Sequence, residues 1–240
     1  MIQPEKLTGN LVKMTRAKYE TAKSNLTLTC PNVALISDEQ NKVEMLMSNP
    51  KTDIGIAAWI DGAVQYYSKS EWNALETKPT AIGVFFVLPD GIRCLHGDVN
   101  SSVKWSSNTS VTVPGCFVSS NASVALLDMA GRNNTDAVLA AVSGGTIADA
   151  PIFTWADGIS FANGEKGYVP SMGELEIIRL NLVAINECRS LLGQTAIVFD
   201  NKNIWTSTQI SANGSWLWYG SRWNLNNKTS HYIGLCLAAL

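Results

Sequence analysis

A proline, a serine and a glutamate fix where one helix of this chain must begin. Pro170 precedes Ser171, and Ser171-x-x-Glu174 is a capping box, in which each side chain accepts the other residue's free backbone N–H. Leu175, Ile178 and Leu182 then fall on one face, widened by Ile177, Leu180 and Ala184, the stripe expected of a half-buried helix. The pattern slips around Asn181, so the spacing predicts a break there. A shorter helix should follow and end near Leu192, closed by Gly193. Short strands are expected after it at residues 196–199, 204–208, 215–221 and 232–237. One firm helix among many short strands implies an α+β fold.

Upstream, residues 56–60, Asp61-Gly62 and residues 63–67 read as strand, turn, strand, because both central residues of a tight hairpin turn need positive φ. Residues 70–75 add a helical turn. Lys78-Pro79-Thr80 is the expected seam to the next unit. The apolar run 82–88, the turn Pro89-Asp90-Gly91 and the return 92–95 form a second hairpin. Thr135 is the expected N-cap of a short Ala-rich helix that Gly144-Gly145 stops. Near the N-terminus Leu7, Leu11, Met14 and Ala17 recur at helical spacing. That gives three expected segments: a helix or arm over 1–25, a small β-rich attachment unit over 26–79, and a larger domain over 80–240.

Composition narrows the function classes. Charged residues make up 16% of the chain and the net charge is −2, with no basic run, so a nucleic-acid partner is not expected. The longest apolar run, residues 81–88, is far short of the ~20 residues that span a bilayer. Residues 1–6 do not read as a signal peptide. Five cysteines, an odd number, are scattered without close pairing, which favours reduced thiols and synthesis in a cytoplasm. His96 and His231 are the only histidines, so a structural zinc site is not expected.

The order Gly167-Tyr168-Val169-Pro170-Ser171-Met172-Gly173-Glu174-Leu175, then Ile204-Trp205-Thr206-Ser207-Thr208, then Ile233-Gly234-Leu235-Cys236-Leu237 resembles the C-terminal core of a C-type-lectin-like fold. The branch it resembles is that of the DUF1566-type domains of bacterial and phage proteins. His96-Gly97, Trp105-Ser106 and the stretch from Gly131 to Thr135 are similar to further family elements, so the resemblance covers residues 80–240. It implies two main helices and a twisted antiparallel sheet, with a small β-rich unit before them. It also implies a non-enzymatic phage virion protein of fibre or decoration type, made in the host bacterial cytoplasm and forming a homotrimer. Its N-terminal region would meet other virion proteins, and its C-terminal domain a host surface glycan or protein. A bacterial surface adhesin is the alternative.

Formylglycine-generating enzymes are distant cousins of this fold and use a pair of copper-binding cysteines near the C-terminal end. Here Cys188 falls in a predicted helix and Cys236 in the last apolar strand, where thiols behave as small hydrophobes. Neither Glu-Pro-Asn nor Gln-Pro-Asp occurs, and Trp223-Asn224 is followed by Leu225, so the calcium ligands of sugar-binding relatives are not matched. Gly144-Gly145 lacks the Lys-Ser/Thr of a phosphate loop. No catalytic residue, metal or cofactor is therefore expected.

The candidate contact surface is the aromatic, Asn-rich tail. Strand alternation puts Trp216 and Trp218 on one side and Leu217 and Tyr219 on the other, with Trp205 and Trp216 expected inside. The segment 220–230 is expected to be an exposed loop. Ligand-binding residues are expected at Trp218, Tyr219, Arg222, Trp223, Asn224, Asn226, Asn227 and His231, because rigid rings and adaptable amides together make a contact surface. The variable proteins of diversity-generating retroelements are similar in fold and carry their contact residues in this last segment.

Overall fold

A computed structural model describes residues 54–88, 90–107 and 111–240, together with the backbone of residues 5–6, 11–14, 33–37 and 43–47. The chain divides into two compact units, residues 1–54 with 86–92, and residues 55–85 with 93–240. Its elements are mixed α and β.

In the first unit, β1 (Glu5–Lys6), β2 (Leu11–Met14), β3 (Val33–Ser37) and β4 (Val43–Met47) form a sheet in that order. β2 and β3 are parallel, and the other pairs are antiparallel. The helix or arm expected over 1–25 is thus corrected at residues 5–6 and 11–14, which are strands; the rest of that segment lies outside the described residues. Leu11 and Met14 do recur at helical spacing. The ladder to Val33 and Ile36 supplies backbone partners that periodicity along one segment does not reveal.

The second unit begins with the hairpin of β5 (Ile54–Ile60) and β6 (Ala63–Tyr67). Asp61 and Gly62 sit at φ 49° and 83°, as the Asp-Gly turn required. α1 (Lys69–Ala74) follows, started by a Ser68/Glu71 capping box. β7 (Thr80–Leu88) and β8 (Gly91–Leu95), of which residues 86–92 are counted with the first unit, come next, then β9 (Asn100–Lys104), α2 (Ala122–Ala125), α3 (Gly131–Ser143) and α4 (Pro151–Asp157). α5 (Met172–Leu180) and α6 (Leu182–Leu191) precede the last strands. These are β10 (Asn203–Gln209), β11 (Gly214–Tyr219), β12 (Arg222–Asn227), β13 (His231–Gly234) and β14 (Leu237–Ala239).

Two five-stranded sheets result, ordered β12-β11-β10-β13-β9 and β14-β8-β7-β5-β6. The β10–β13 pair is parallel, so the first of them is not wholly antiparallel. The seam expected at Lys78-Pro79-Thr80 is no boundary: Ile56, Ala57 and Ala58 are fully buried, and their strand belongs to the same sheet as β7, β8 and β14.

The capping box forms as its spacing required. Ser171 N–H donates to Glu174 Oε2 at 2.8 Å, and Glu174 N–H to Ser171 Oγ at 3.4 Å. The break at Asn181 and the end at Leu192, with Gly193 at φ 67°, also match. Glu174 is fully buried and does more than cap. Its Oε1 accepts from Tyr168 OH at 2.8 Å and from Arg93 Nε at 3.1 Å. Gly131 allows this packing, since a Cβ there would stand 2.2 Å from Glu174 Oε2 and 2.8 Å from Ser171 N. α3 accordingly begins at Gly131, and Thr135 is not its N-cap. Thr135 lies buried within the helix, and its Oγ1 accepts from Val169 N–H at 3.1 Å.

Burial raises the Glu174 carboxyl to about 6, against the lowering pull of Arg93, Ser171 and Tyr168. A carboxyl that holds its proton more firmly in the folded state favours folding at low pH and loses that contribution as pH rises. Between about pH 4.5 and 6 this group should therefore cost ~2 kcal/mol of stability. Urea midpoints across that range should fall for the wild type and fall less for Glu174→Gln; equal slopes would exclude Glu174 as the source.

β10 is the spine of the unit. From Ile204 to Gln209 every residue is fully buried, although four of the six are polar. Each polar group bonds a different neighbour, as burial requires. Thr206 Oγ1 donates to Trp216 O at 2.8 Å. Ser207 Oγ accepts from Asn134 Nδ2 at 3.1 Å, and Thr208 Oγ1 donates to Asp128 Oδ2 at 2.7 Å. Gln209 Oε1 accepts from Val113 N–H at 3.0 Å and from Lys228 Nζ at 2.8 Å. Burial lowers the Lys228 ammonium to about 8.

Candidate functional site: the C-terminal hairpin

The segment expected as an exposed loop is mostly strand. β11 and β12 pair in register from Gly214↔Asn227 to Tyr219↔Arg222, joined by the two residues Gly220-Ser221. Gly220 takes φ 65°, which its missing Cβ permits at low cost. β12 forms the edge of its sheet.

Paired residues share a face of the sheet, so Trp216 and Leu225, and Trp218 and Trp223, point to the same side. That side meets α5. The Trp218 and Trp223 rings meet edge to face at 5.5 Å and 86°. The Arg179 guanidinium stacks 4.8 Å from the Trp218 ring centre, a cation–π contact worth roughly 0.5–2 kcal/mol. Glu176 holds Arg179 through a bidentate pair and accepts from Trp223 Nε1 at 3.1 Å. Trp218 Nε1 donates to Phe199 O at 3.0 Å. Trp216, Met172 and Ala125 form a buried cluster on which Trp223 also packs.

The eight candidate residues therefore separate by role. Trp218 is buried and Trp223 half-buried, and both are fixed in structural contacts. Tyr219 and Arg222, which flank the turn, are exposed, as is Leu225. The asparagines are engaged internally. Asn224 Oδ1 accepts from Leu225 N–H at 2.9 Å, and Asn226 Oδ1 from Asn227 N–H at 2.7 Å. Asn226 Nδ2 donates to Tyr232 OH at 2.7 Å, while Asn227 Oδ1 accepts from Thr229 N–H at 3.2 Å. Amides folded onto the backbone in this way blunt an edge strand against unwanted pairing. His231 is exposed but stands on β13, beyond β11 and β10 in the sheet order, and pairs with Lys104.

The sequence reading missed Glu176 and Arg179. Their only signal was an acid and a base three residues apart on a capped helix, the spacing of neighbouring side chains. Nothing local tied them to tryptophans some forty residues away.

Cys94, Cys116, Cys188 and Cys236 are buried and unpaired in disulfides. Burial pushes the Cys116 and Cys236 thiols up to about 12, and those of Cys94 and Cys188 upward as well. At neutral pH these four are thiols, whereas the reactive and metal-binding form is the thiolate. His96 Nδ1 accepts from Asp98 N–H at 3.0 Å and its ring packs on Phe161 at 5.0 Å, which is a satisfied structural role.

No protein-family model matches the chain, and no curated protein matches it. A fimbrial protein from Bacteroides ovatus of known crystal structure is similar at 14% identity and a TM-score of 0.44. The match covers 62% of this chain and 35% of that one, so this chain spans about a third of that protein's length.

Proposed function

We propose that this is a non-enzymatic binding protein whose C-type-lectin-like second unit presents the β11–β12 hairpin to a host surface glycan or protein. In this reading it is a phage virion protein of fibre or decoration type, trimeric, attached through its first unit. The order of sequence elements described above supports the family. The observation that carries the binding role is the hairpin itself. Two tryptophans lock it against α5, while Tyr219 and Arg222 remain exposed at its free end and Leu225, on the opposite face from that pair, at its edge. A rigid scaffold with exposed aromatic, cationic and apolar groups suits a recognition surface, because little entropy is lost on contact. The burial of Cys188 and Cys236 counts against the paired-thiolate chemistry of formylglycine-generating enzymes.

The hairpin also fixes how the reading is tested. Trp223 cannot serve as a probe of binding alone, since its removal would strip contacts from Trp218 and Glu176. Combined Tyr219→Ala, Arg222→Ala and Leu225→Ser changes should lower binding to a bacterial glycan array or to whole host cells by roughly tenfold or more. The unfolding midpoint should stay nearly constant. Undiminished binding by this variant would remove the hairpin as the contact surface.

A further inference from the structure

A cleft of roughly 450 Å³ opens in the second unit. One of its lining residues, Lys202, adjoins the hairpin turn through its carbonyl, which accepts from Gly220 N–H at 2.8 Å. That size lies within the range of small-molecule sites. Its apolar lining comes from Val99, Ile197, Val198, Ile204, Ile233 and Leu235. Val99 and Val198 are 41% and 49% exposed, so part of this apolar surface faces water.

The charges around it are unequal. Asp98 is the one acid among the lining residues, while Lys202 and Arg189 are both cationic. Lys202 and Asp98 are exposed. Arg189 is fully buried behind the wall. Its Nε donates to Thr195 O at 2.8 Å, Nη1 to His96 O at 2.9 Å and Nη2 to Gly97 O at 2.9 Å. Every one of these acceptors is a neutral carbonyl. Among the described residues the acid that acts on Arg189 is Asp98, which lines the same cleft and is exposed to water. Water screens the exposed Asp98, so the buried Arg189 is only partly compensated, and in a low-dielectric wall its field reaches several ångströms into the cleft. A negative ligand group there would be favoured by Arg189 without touching it, and by Lys202 directly.

We infer that this cleft binds a small amphipathic carboxylate, with the apolar chain against Ile204, Ile233 and Leu235 and the carboxylate toward Lys202 and Arg189. The proposed binding does not rest on the hairpin reading, although Lys202 adjoins the hairpin turn. Octanoate is a suitable probe because it joins one carboxylate to a flexible apolar chain; octylamine has the same chain with the opposite charge.

Titrated calorimetrically into the full-length protein, octanoate should bind and octylamine should not. Lys202→Glu and Val198→Asp, both at exposed positions and so compatible with folding, should each weaken octanoate roughly tenfold or more. The Tyr219, Arg222 and Leu225 hairpin variant should bind octanoate as the wild type does. The inference is overturned by absence of octanoate binding up to about 10 mM, by equal binding of octylamine, or by an octanoate Kd unchanged in both cleft variants.

Discussion

Replacing Glu174 with alanine is expected to destabilise the second unit by ~3–5 kcal/mol, the cost of breaking a buried charged network from one side. The residue is fully buried and accepts from the Ser171 backbone, Tyr168 and Arg93. Alanine would take this acceptor from all three, and losing a buried hydrogen bond to a charged group costs ~1.5–3 kcal/mol. The Ser171 side of the cap would remain, because an alanine at 174 keeps the N–H that donates to Ser171 Oγ. All eight tryptophans lie between residues 59 and 223, within the second unit, so tryptophan fluorescence during urea unfolding reports on that unit. Glu174→Gln should fall in between, because an amide keeps one acceptor for Tyr168 and Arg93. A loss below about 1 kcal/mol for the alanine variant would show that the network relaxes without its carboxylate.

Trp205→Ala should cost a comparable ~3–5 kcal/mol, the usual range for a large aromatic removed from a core. Trp205 has no exposed surface and packs 5.1 Å from the Tyr232 ring. Its Nε1 donates to Val103 O at 3.1 Å, tying β10 to β9 across the intervening β13. The substitution would leave both a cavity and an unpaired carbonyl. Trp205→Phe should recover part of the loss, since it restores ring volume and not the hydrogen bond. Wild-type stability in Trp205→Ala would mean that β10 is not the spine described above.

Elements whose instructions lie within a few residues were legible in advance. The Asp61-Gly62 turn, the Ser171/Glu174 cap and the Asn181 break each depend on neighbours one to four positions apart, and each forms as expected. α4 left a weaker trace: Pro151 occupies its first turn, a favoured site for proline, but the segment carried no other start signal. The N-terminal strands, and the sheet that β5 and β6 join, depended on partners in other parts of the chain; there helical spacing over residues 7–17 gave the wrong element at 11–14, and Pro79 gave a seam that the sheet runs across.

The candidate site shows the same division. Composition pointed to the aromatic tail, and alternation correctly placed Trp216 and Trp218 on one face. Alternation did not show that both faces of β11 would be covered: Leu217 is as buried as the tryptophans. Nor did it show that the asparagines would bond their own backbone.

The sequence by itself determined turns, caps and the in-and-out order of side chains, because those follow from backbone sterics and short-range hydrogen bonds. Tertiary structure alone decided which faces stay wet, which polar groups meet, and which cation lies buried behind a cleft. Burial and pairing arise from residues far apart in the chain, and the energy of a charge or an amide depends on what those distant segments place around it.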